Sequence, residues 1–409
     1  MGQNRKTIYI YTSNFPYGMD AETFLGEELN VASEKGLRVV VIPTRKAEGE
    51  RPLPQGVEVD RSIAEASIAE KLFAAIRTFC SFGMMSIWAC IFCDRLFRFR
   101  YITDAIKYIY AANLVYQNVV KKASSNSPCI FYGYWLTYYP IAFACYKRKH
   151  PDSVHRFVCR GHGSDIYSVD VGVYYPLRQV VLDRMDAVFT VSEYGRRYLM
   201  DKYPKHQTPI SIARLGVRSP SNLPAREEAG VIRIVSCSAV IELKRVEKLF
   251  SALKAYVETN GCEMEWHHFG DGDCYDRLSN RVAQEGNGHL HCVLHGFVPN
   301  AVLMDYYTNN AVDAFVSVSE SEGVPVSMME ALSYNIPILS TEVGGCGELV
   351  TKETGCLINK NFTQEEFNNG LSFILSNRES YPRRVHDFYM SNYNAIQNYN
   401  KFYSEILSL

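Results

Sequence analysis

The chain has 409 residues, long enough for two domains of about 200 residues, each with its own core. Its 43 Lys and Arg are balanced by 44 Asp and Glu, so it lacks the basic excess of a nucleic-acid binder and no nucleic-acid partner is expected. Twelve cysteines are scattered, and Met1-Gly-Gln-Asn-Arg-Lys6 lacks the apolar core of a signal peptide, so a cytoplasmic chain with reduced thiols is expected.

Lys6 stands where N-myristoylation of Gly2 would want Ser or Thr, which argues against that anchor. From there on, apolar β-rich runs alternate with longer helical patterns, predicting an α/β protein whose parallel sheets are wound through βα units. Strands are expected over 8–12, 38–43, 129–133, 156–160, 187–191 and 210–215 in the first half. In the second half they are expected over 232–238, 264–269, 290–296, 314–319 and 338–341.

The first strand opens into Ser13-Asn-Phe-Pro-Tyr-Gly18, and Glu22-Thr-Phe-Leu-Gly-Glu-Glu-Leu29 then reads as a helix. The loop after the first strand of a Rossmann-like half faces the ligand crevice, which makes Gly18 a candidate; a lone glycine also serves simply to turn the chain. The uncharged run 78–93 is sixteen residues long, too short to span a bilayer comfortably. Arg77, Arg95, Arg98 and Arg100 border it, which suits a peripheral membrane contact through 77–100, and a core helix explains it nearly as well. Cys90 and Cys93 within that run read as core or membrane-facing residues rather than a redox pair.

After the expected strand at 129–133, Tyr134-Trp-Leu-Thr-Tyr-Tyr139 offers either a stacking surface for sugar rings or an ordinary amphipathic edge. In Arg160-Gly-His162-Gly-Ser-Asp165 the imidazole sits between glycines, where backbone can approach a ligand closely. The Pro- and Ser-containing segment 219–230 reads as the linker, giving domains 1–218 and 219–380 and a helical tail over 381–409. His289, His291 and His295 lack a clear acidic or cysteine partner, so no metal is expected.

The most informative stretch is Ser317-Val-Ser-Glu-Ser-Glu322-Gly-Val-Pro325-Val-Ser-Met-Met-Glu330-Ala-Leu-Ser-Tyr-Asn335-Ile-Pro337, followed by Thr341-Glu-Val-Gly344-Gly345. A buried strand opens into a glycine loop, Pro325 suits the first turn of a helix, and Asn335 and Pro337 stop that helix. A helix starting at such a loop directs unpaired N–H groups and the positive end of its dipole at the loop, which favours an anion such as a diphosphate. Glu330 in the second turn leans back toward that end, and Glu322 precedes it. Ionised carboxylates accept hydrogen bonds from vicinal hydroxyls, so one sugar on each side of a diphosphate would satisfy both. Alternatively, Glu322 complements the helix dipole and Glu330 lies on a solvated face.

Glu322 and Glu330, with seven residues between them on Glu-Gly-Val-Pro-Val-Ser, resemble the E-x7-E motif of family 4 glycosyltransferases, and Thr341-Glu-Val-Gly-Gly continues the resemblance. The resemblance implies the GT-B fold, two facing Rossmann-like domains with a C-terminal helix crossing back to the first. It also implies that Glu330 holds the nucleotide ribose and Glu322 contacts the transferred sugar, with Gly323, Val324, Val326 and Ser327 around the diphosphate. Lys244 resembles the family's phosphate-binding lysine; Ala239 stands where many members carry an arginine, leaving Arg245 as a candidate second cation. His162 resembles the histidine beside the donor sugar, Gly18 the glycine loop near phosphates and acceptor, Gly270 the next glycine turn and Val298 the loop lining the nucleobase.

On this resemblance the expected activity is retaining transfer of a sugar from a nucleoside-diphosphate sugar, a UDP-sugar first and a GDP-sugar next. The acceptor would be a hydroxyl of a glycan or lipid-linked glycan in surface-polysaccharide synthesis. Neither cofactor nor metal is expected, and His162, Glu322 and Lys244 would carry catalysis. A GT-B nucleotide-sugar epimerase or hydrolase and a non-catalytic transferase-like subunit remain the alternatives.

Overall fold

A computed structural model describes residues 6–18, 22–80, 88, 99–124, 127–167, 175–225, 231–286 and 288–409. The chain forms two compact units, Met1–Leu215 with Ile396–Leu409, and Gly216–Ala395.

In the first unit, β1 (Thr7–Thr12), β2 (Val39–Pro43), β3 (Val57–Val59), β4 (Cys129–Gly133), β5 (Arg156–Gly161), β6 (Ala187–Thr190) and β7 (Ile210–Ile212) form one sheet, ordered β3-β2-β1-β4-β5-β6-β7. In the second, β8 (Ile232–Cys237), β9 (Met264–Phe269), β10 (Leu290–Leu294), β11 (Ala314–Ser317), β12 (Ile338–Thr341) and β13 (Gly355–Ile358) are ordered β10-β9-β8-β11-β12-β13. All the ladders in both sheets are parallel. Central strands such as β2, β4 and β12 are buried along their whole length, as parallel strands covered by helices on both faces must be. This explains why they read as continuous apolar runs.

Every expected strand exists, three with the bounds given above and the rest within a few residues. Two were not foreseen, β3 and β13, both at sheet edges, where short length and partial exposure weaken the apolar signal. The helix expected from Glu22 begins later, at Leu25–Glu34, because Glu22 adopts a left-handed conformation (φ 54°). The unit boundary falls between Leu215 and Gly216, just ahead of the expected linker. The helical tail divides: Tyr381–Asn392 stays with the second unit, whereas Ala395–Ser408 belongs almost wholly to the first. Buried Tyr389 and Tyr393 hold the former helix by donating to the Val217 and Glu348 carbonyls. Phe402 on the latter packs against Tyr132 and Phe189.

Most of the run 78–93, including Cys90 and Cys93, lies outside the described residues, as do Arg95 and Arg98. Among the described residues no helix is long and apolar enough to cross a membrane.

Candidate functional site

In the second sheet the strand order reverses between β8 and β11, so the loops leaving their carboxyl ends splay apart and leave a crevice, the usual ligand position in such sheets. The loop after β8 carries a 3-10 turn, Glu242–Lys244, and the loop after β11 carries Glu322 and Gly323. The two loops are tied together. Glu320 donates its N–H to the Leu243 carbonyl (2.8 Å), and Lys244 Nζ meets Glu322 Oε1 at 2.6 Å.

Arg245 adopts a left-handed conformation (φ 50°), and its Nε and Nη2 donate to the Val318 and Ser319 carbonyls at 2.7 and 3.1 Å. Two of its donor groups thus hold the end of β11, and Lys244 is the cation at the mouth of the crevice. The double glycine closes the back of the β11 loop. Gly345 donates to the Gly323 carbonyl (2.8 Å), and a Cβ on Gly344 (φ 52°) would stand 1.8 Å from the Glu322 carbonyl oxygen. Only glycine permits that approach.

The helix Val326–Ser333 follows, with Pro325 one residue ahead of it rather than in its first turn. It has no side-chain N-cap and no acidic residue in its first turn. The amides of its first turn, Val326 and Ser327 among them, therefore face the loop without a side-chain acceptor, and the helix dipole adds positive potential there.

Glu330 is not on a solvated face: it is 9% exposed. Its Oε1 accepts from Asn300 Nδ2 at 2.8 Å. Burial pushes its carboxyl up to about 7, with the Asn300 hydrogen bond pulling the other way. A carboxylate held this dry is a receptor for hydroxyl donors.

Gly270 (φ 142°) packs where a Cβ would lie 1.9 Å from the Ser238 carbonyl oxygen, and its N–H donates to Gly296. Its observed part is to let the turn after β9 close on the loop after β8. Val298 is half-buried in the turn before the helix Asn300–Asn309, which carries Asn300 at its start. The three histidines considered for metal binding have different partners: His289 pairs with Glu263 (2.6 Å), His295 stacks on Phe269, and His291 is exposed. Among the described residues no three His, Cys, Asp or Glu side chains converge as metal ligands.

In the first unit the strand order reverses between β1 and β4. Gly18 (φ 76°) donates its N–H to Gly49 and its carbonyl accepts from Arg51 Nε and Nη2, so both its backbone groups are spent inside the unit. The loop is organised instead by Glu22, which sequence reasoning missed. Its carboxylate accepts from the N–H groups of Ser13 (2.9 Å), Asn14 (2.9 Å) and Phe15 (2.8 Å), and from Trp135 Nε1. This bridges the loops after β1 and β4.

His162 follows β5 and is 5% exposed. Its backbone N–H donates to Asp165 Oδ1 (2.6 Å), and Asp165 Oδ2 accepts from Leu136 N–H (2.7 Å), which fixes the loop. The imidazole lies among Trp135 (4.5 Å between centroids), Tyr134 (5.0 Å) and Phe24 (5.4 Å). Neither ring nitrogen has a hydrogen-bond partner among the described residues. The Asp165 carboxylate stands 3.9 Å from Nδ1, too far for a hydrogen bond, so both ring nitrogens of this buried imidazole can serve a ligand.

Behind it, Arg160 Nη1 and Glu28 Oε2 form an ion pair at 2.7 Å with no exposure on either side chain. The guanidinium lies 4.0 Å from the Phe402 ring centroid.

The two parallel sheets, each with its order reversing at one pair of strands, have the α/β GT-B fold. Residues 225–387 match the model described as Glycosyl transferases group 1, and that segment is a domain of this family. It is similar to the putative colanic acid biosynthesis glycosyltransferase WcaL of Escherichia coli (strain K12), 28% identical over 212 residues, 49% of this chain and 50% of the relative. The chain thus spans about half the length of that curated relative. Among solved structures, the lipopolysaccharide outer core galactosyltransferase WaaB (apo form) superposes with a TM-score of 0.66 at 16% identity, over 98% of this chain and 99% of that one. HepE of Anabaena, in complex with UDP and glucose, gives a TM-score of 0.64 at 14% identity, over 99% and 100%. At such identities these likenesses establish the fold.

Proposed function

We propose that this chain is a retaining glycosyltransferase that moves a sugar from a nucleoside-diphosphate sugar, with UDP the first candidate base and GDP the next, to a hydroxyl of a glycan or lipid-linked glycan in surface-polysaccharide synthesis. The observation that carries the reading is the uncapped start of the helix Val326–Ser333, with Lys244 and Glu322 paired at its mouth and Glu330 buried in its second turn. The first-turn amides and Lys244 take the diphosphate; an ammonium has three donors and can add a phosphate oxygen while keeping Glu322. Glu330 takes the ribose hydroxyls and Glu322 those of the transferred sugar. As the bond to the anomeric carbon breaks, negative charge grows on the leaving diphosphate, and Lys244 and the helix dipole stabilise it there without a resident metal. His162, whose ring nitrogens make no hydrogen bond among the described residues, is the first unit's candidate for contact with a sugar. The relatedness to WcaL supports polysaccharide synthesis, and HepE, which binds UDP and glucose, supports a UDP-sugar.

The test is thermal denaturation of the whole chain with UDP, GDP, ADP and CMP, alone and as their sugars. A ligand at 100 times its Kd stabilises by about 2.7 kcal/mol. A shift with one base, lost in Glu330→Ala, supports the donor site, and no shift with any of them overturns it. Consumption of the donor without an acceptor would instead indicate a hydrolase or epimerase.

We also propose peripheral contact with an anionic membrane surface, which suits a lipid-linked acceptor. The helix Ile68–Phe79 packs with its polar side inward: Arg77 Nε donates to Asn113 Oδ1 (3.2 Å) and Thr78 is buried. Ile68, Leu72, Phe73, Ile76 and Phe79 are each at least half exposed, with Lys71 beside them. Such a ridge is large for a surface that meets only water. Flotation with phosphatidylglycerol vesicles should recover the protein, and Leu72→Glu with Phe73→Glu should abolish recovery while melting stays unchanged; equal flotation of both proteins refutes the contact.

A further inference from the structure

The donor-site reading leaves open what keeps Glu330 able to accept hydroxyls, and this inference rests on that reading. Among the described residues its carboxylate has one hydrogen-bond partner, Asn300 Nδ2 at 2.8 Å. Asn300 is the first residue of the helix Asn300–Asn309, directly after the turn that carries Val298. The titratable groups that face Glu330 from neighbouring elements are Cys237 at the end of β8 and Tyr307 on the Asn300 helix. Burial pushes the Cys237 thiol up to about 12 and the Tyr307 phenol well above its usual value, so both are neutral at physiological pH. Lys244, in the turn after β8, is committed to Glu322 at 2.6 Å. No ion pair to Glu330 is formed among the described residues, and a single neutral amide is what opposes its burial.

We propose that Asn300 is a positioning residue: its amide aims the Glu330 carboxylate at the nucleotide ribose and holds it ionised, so that donor affinity depends on pH around neutrality. Ionised Glu330 accepts two hydroxyl hydrogens, whereas the protonated acid must give up an acceptor site. Removing a donor to the charged form raises the carboxyl further, so the pH below which binding weakens moves upward. Asn300 also begins the helix after the Val298 turn, so its amide links the Glu330 carboxylate to the segment next to that turn.

The experiment is calorimetric titration of the full chain with UDP and with GDP at several pH values between about 6 and 9, using wild type, Asn300→Ala, Glu330→Gln and the double variant. The nucleotide's own phosphate titration is common to all four proteins and cancels in their ratios. The expected result is a wild-type to Asn300→Ala affinity ratio of about tenfold at pH 7 that closes toward one by pH 9, and that is independent of pH in the Glu330→Gln background. A ratio constant across pH means that Asn300 touches nucleotide or merely holds the fold, and overturns the proposal; a ratio of one throughout does the same. If wild type binds neither nucleotide, the donor-site reading itself falls, and this inference with it.

Discussion

Glu330→Gln should make the protein more stable and weaken, without abolishing, its binding of nucleotide. The wild-type carboxyl goes from 4.5 to about 7 on folding because burial disfavours its charge. The folded state therefore holds a proton that the unfolded state has released throughout that window, and stability falls as pH rises from about 4.5 to about 7. At about 1.4 kcal/mol for each pH unit between the two values, the penalty reaches about 3 kcal/mol above pH 7. Glutamine has nearly the same shape, carries no charge, and can turn its amide oxygen to the Asn300 donor. The variant should match wild type near pH 4.5 and exceed it by about 3 kcal/mol at pH 8, or about 6–12 °C in Tm for a unit of this size. Trp266, fully buried and the only tryptophan of the second unit, reports on this unit in a Trp88→Phe, Trp135→Phe background. A stability difference between wild type and the Glu330→Gln variant that is the same at pH 5 and pH 8, or a loss of stability in the variant at pH 8, would refute the reasoning.

Two further outcomes test the scaffold. Gly344→Ala places a Cβ 1.8 Å from the Glu322 carbonyl oxygen and should abolish nucleotide binding measured calorimetrically while circular dichroism stays near wild type; Gly261→Ala, also at positive φ but with open space around it, should cost about 1 kcal/mol and leave binding intact. Arg160→Met strands Glu28 without its partner in a fully buried site and should cost about 3–5 kcal/mol in denaturant unfolding, whereas Arg160→Met with Glu28→Leu should recover most of that loss.

The central strands and the motif after β11 were legible because parallel strands covered on both faces must be apolar throughout, and a glycine loop before a helix leaves a local signature. Lys244, Glu322, Gly323, Val326, Ser327 and Glu330 do gather around one crevice. Arg245 and Gly270 lie beside it, with observed contacts that tie strand end to loop and turn to loop. Gly18 spends its backbone groups on residues 49 and 51, a partnership set by how the chain returns and not marked in the sequence around it. Asn300 and Glu22 carried no signal: one is an ordinary helix start, and the other a helix-forming residue that the fold holds at φ 54°.

By itself the sequence determined the α/β class, the alternation of strand and helix, and the glycine loop that opens a helix after β11, because each follows from local pattern and short-range sterics. Only the tertiary structure decided which charges are neutralised and which are left for a ligand. Lys244 and Glu322 are 78 residues apart in sequence and 2.6 Å apart in space. Glu330 is perturbed by the removal of water, and the His162 ring nitrogens make no hydrogen bond among the described residues where three aromatic rings from two segments enclose the imidazole. Desolvation and long-range pairing depend on what packs against a residue, which its neighbours along the chain do not specify.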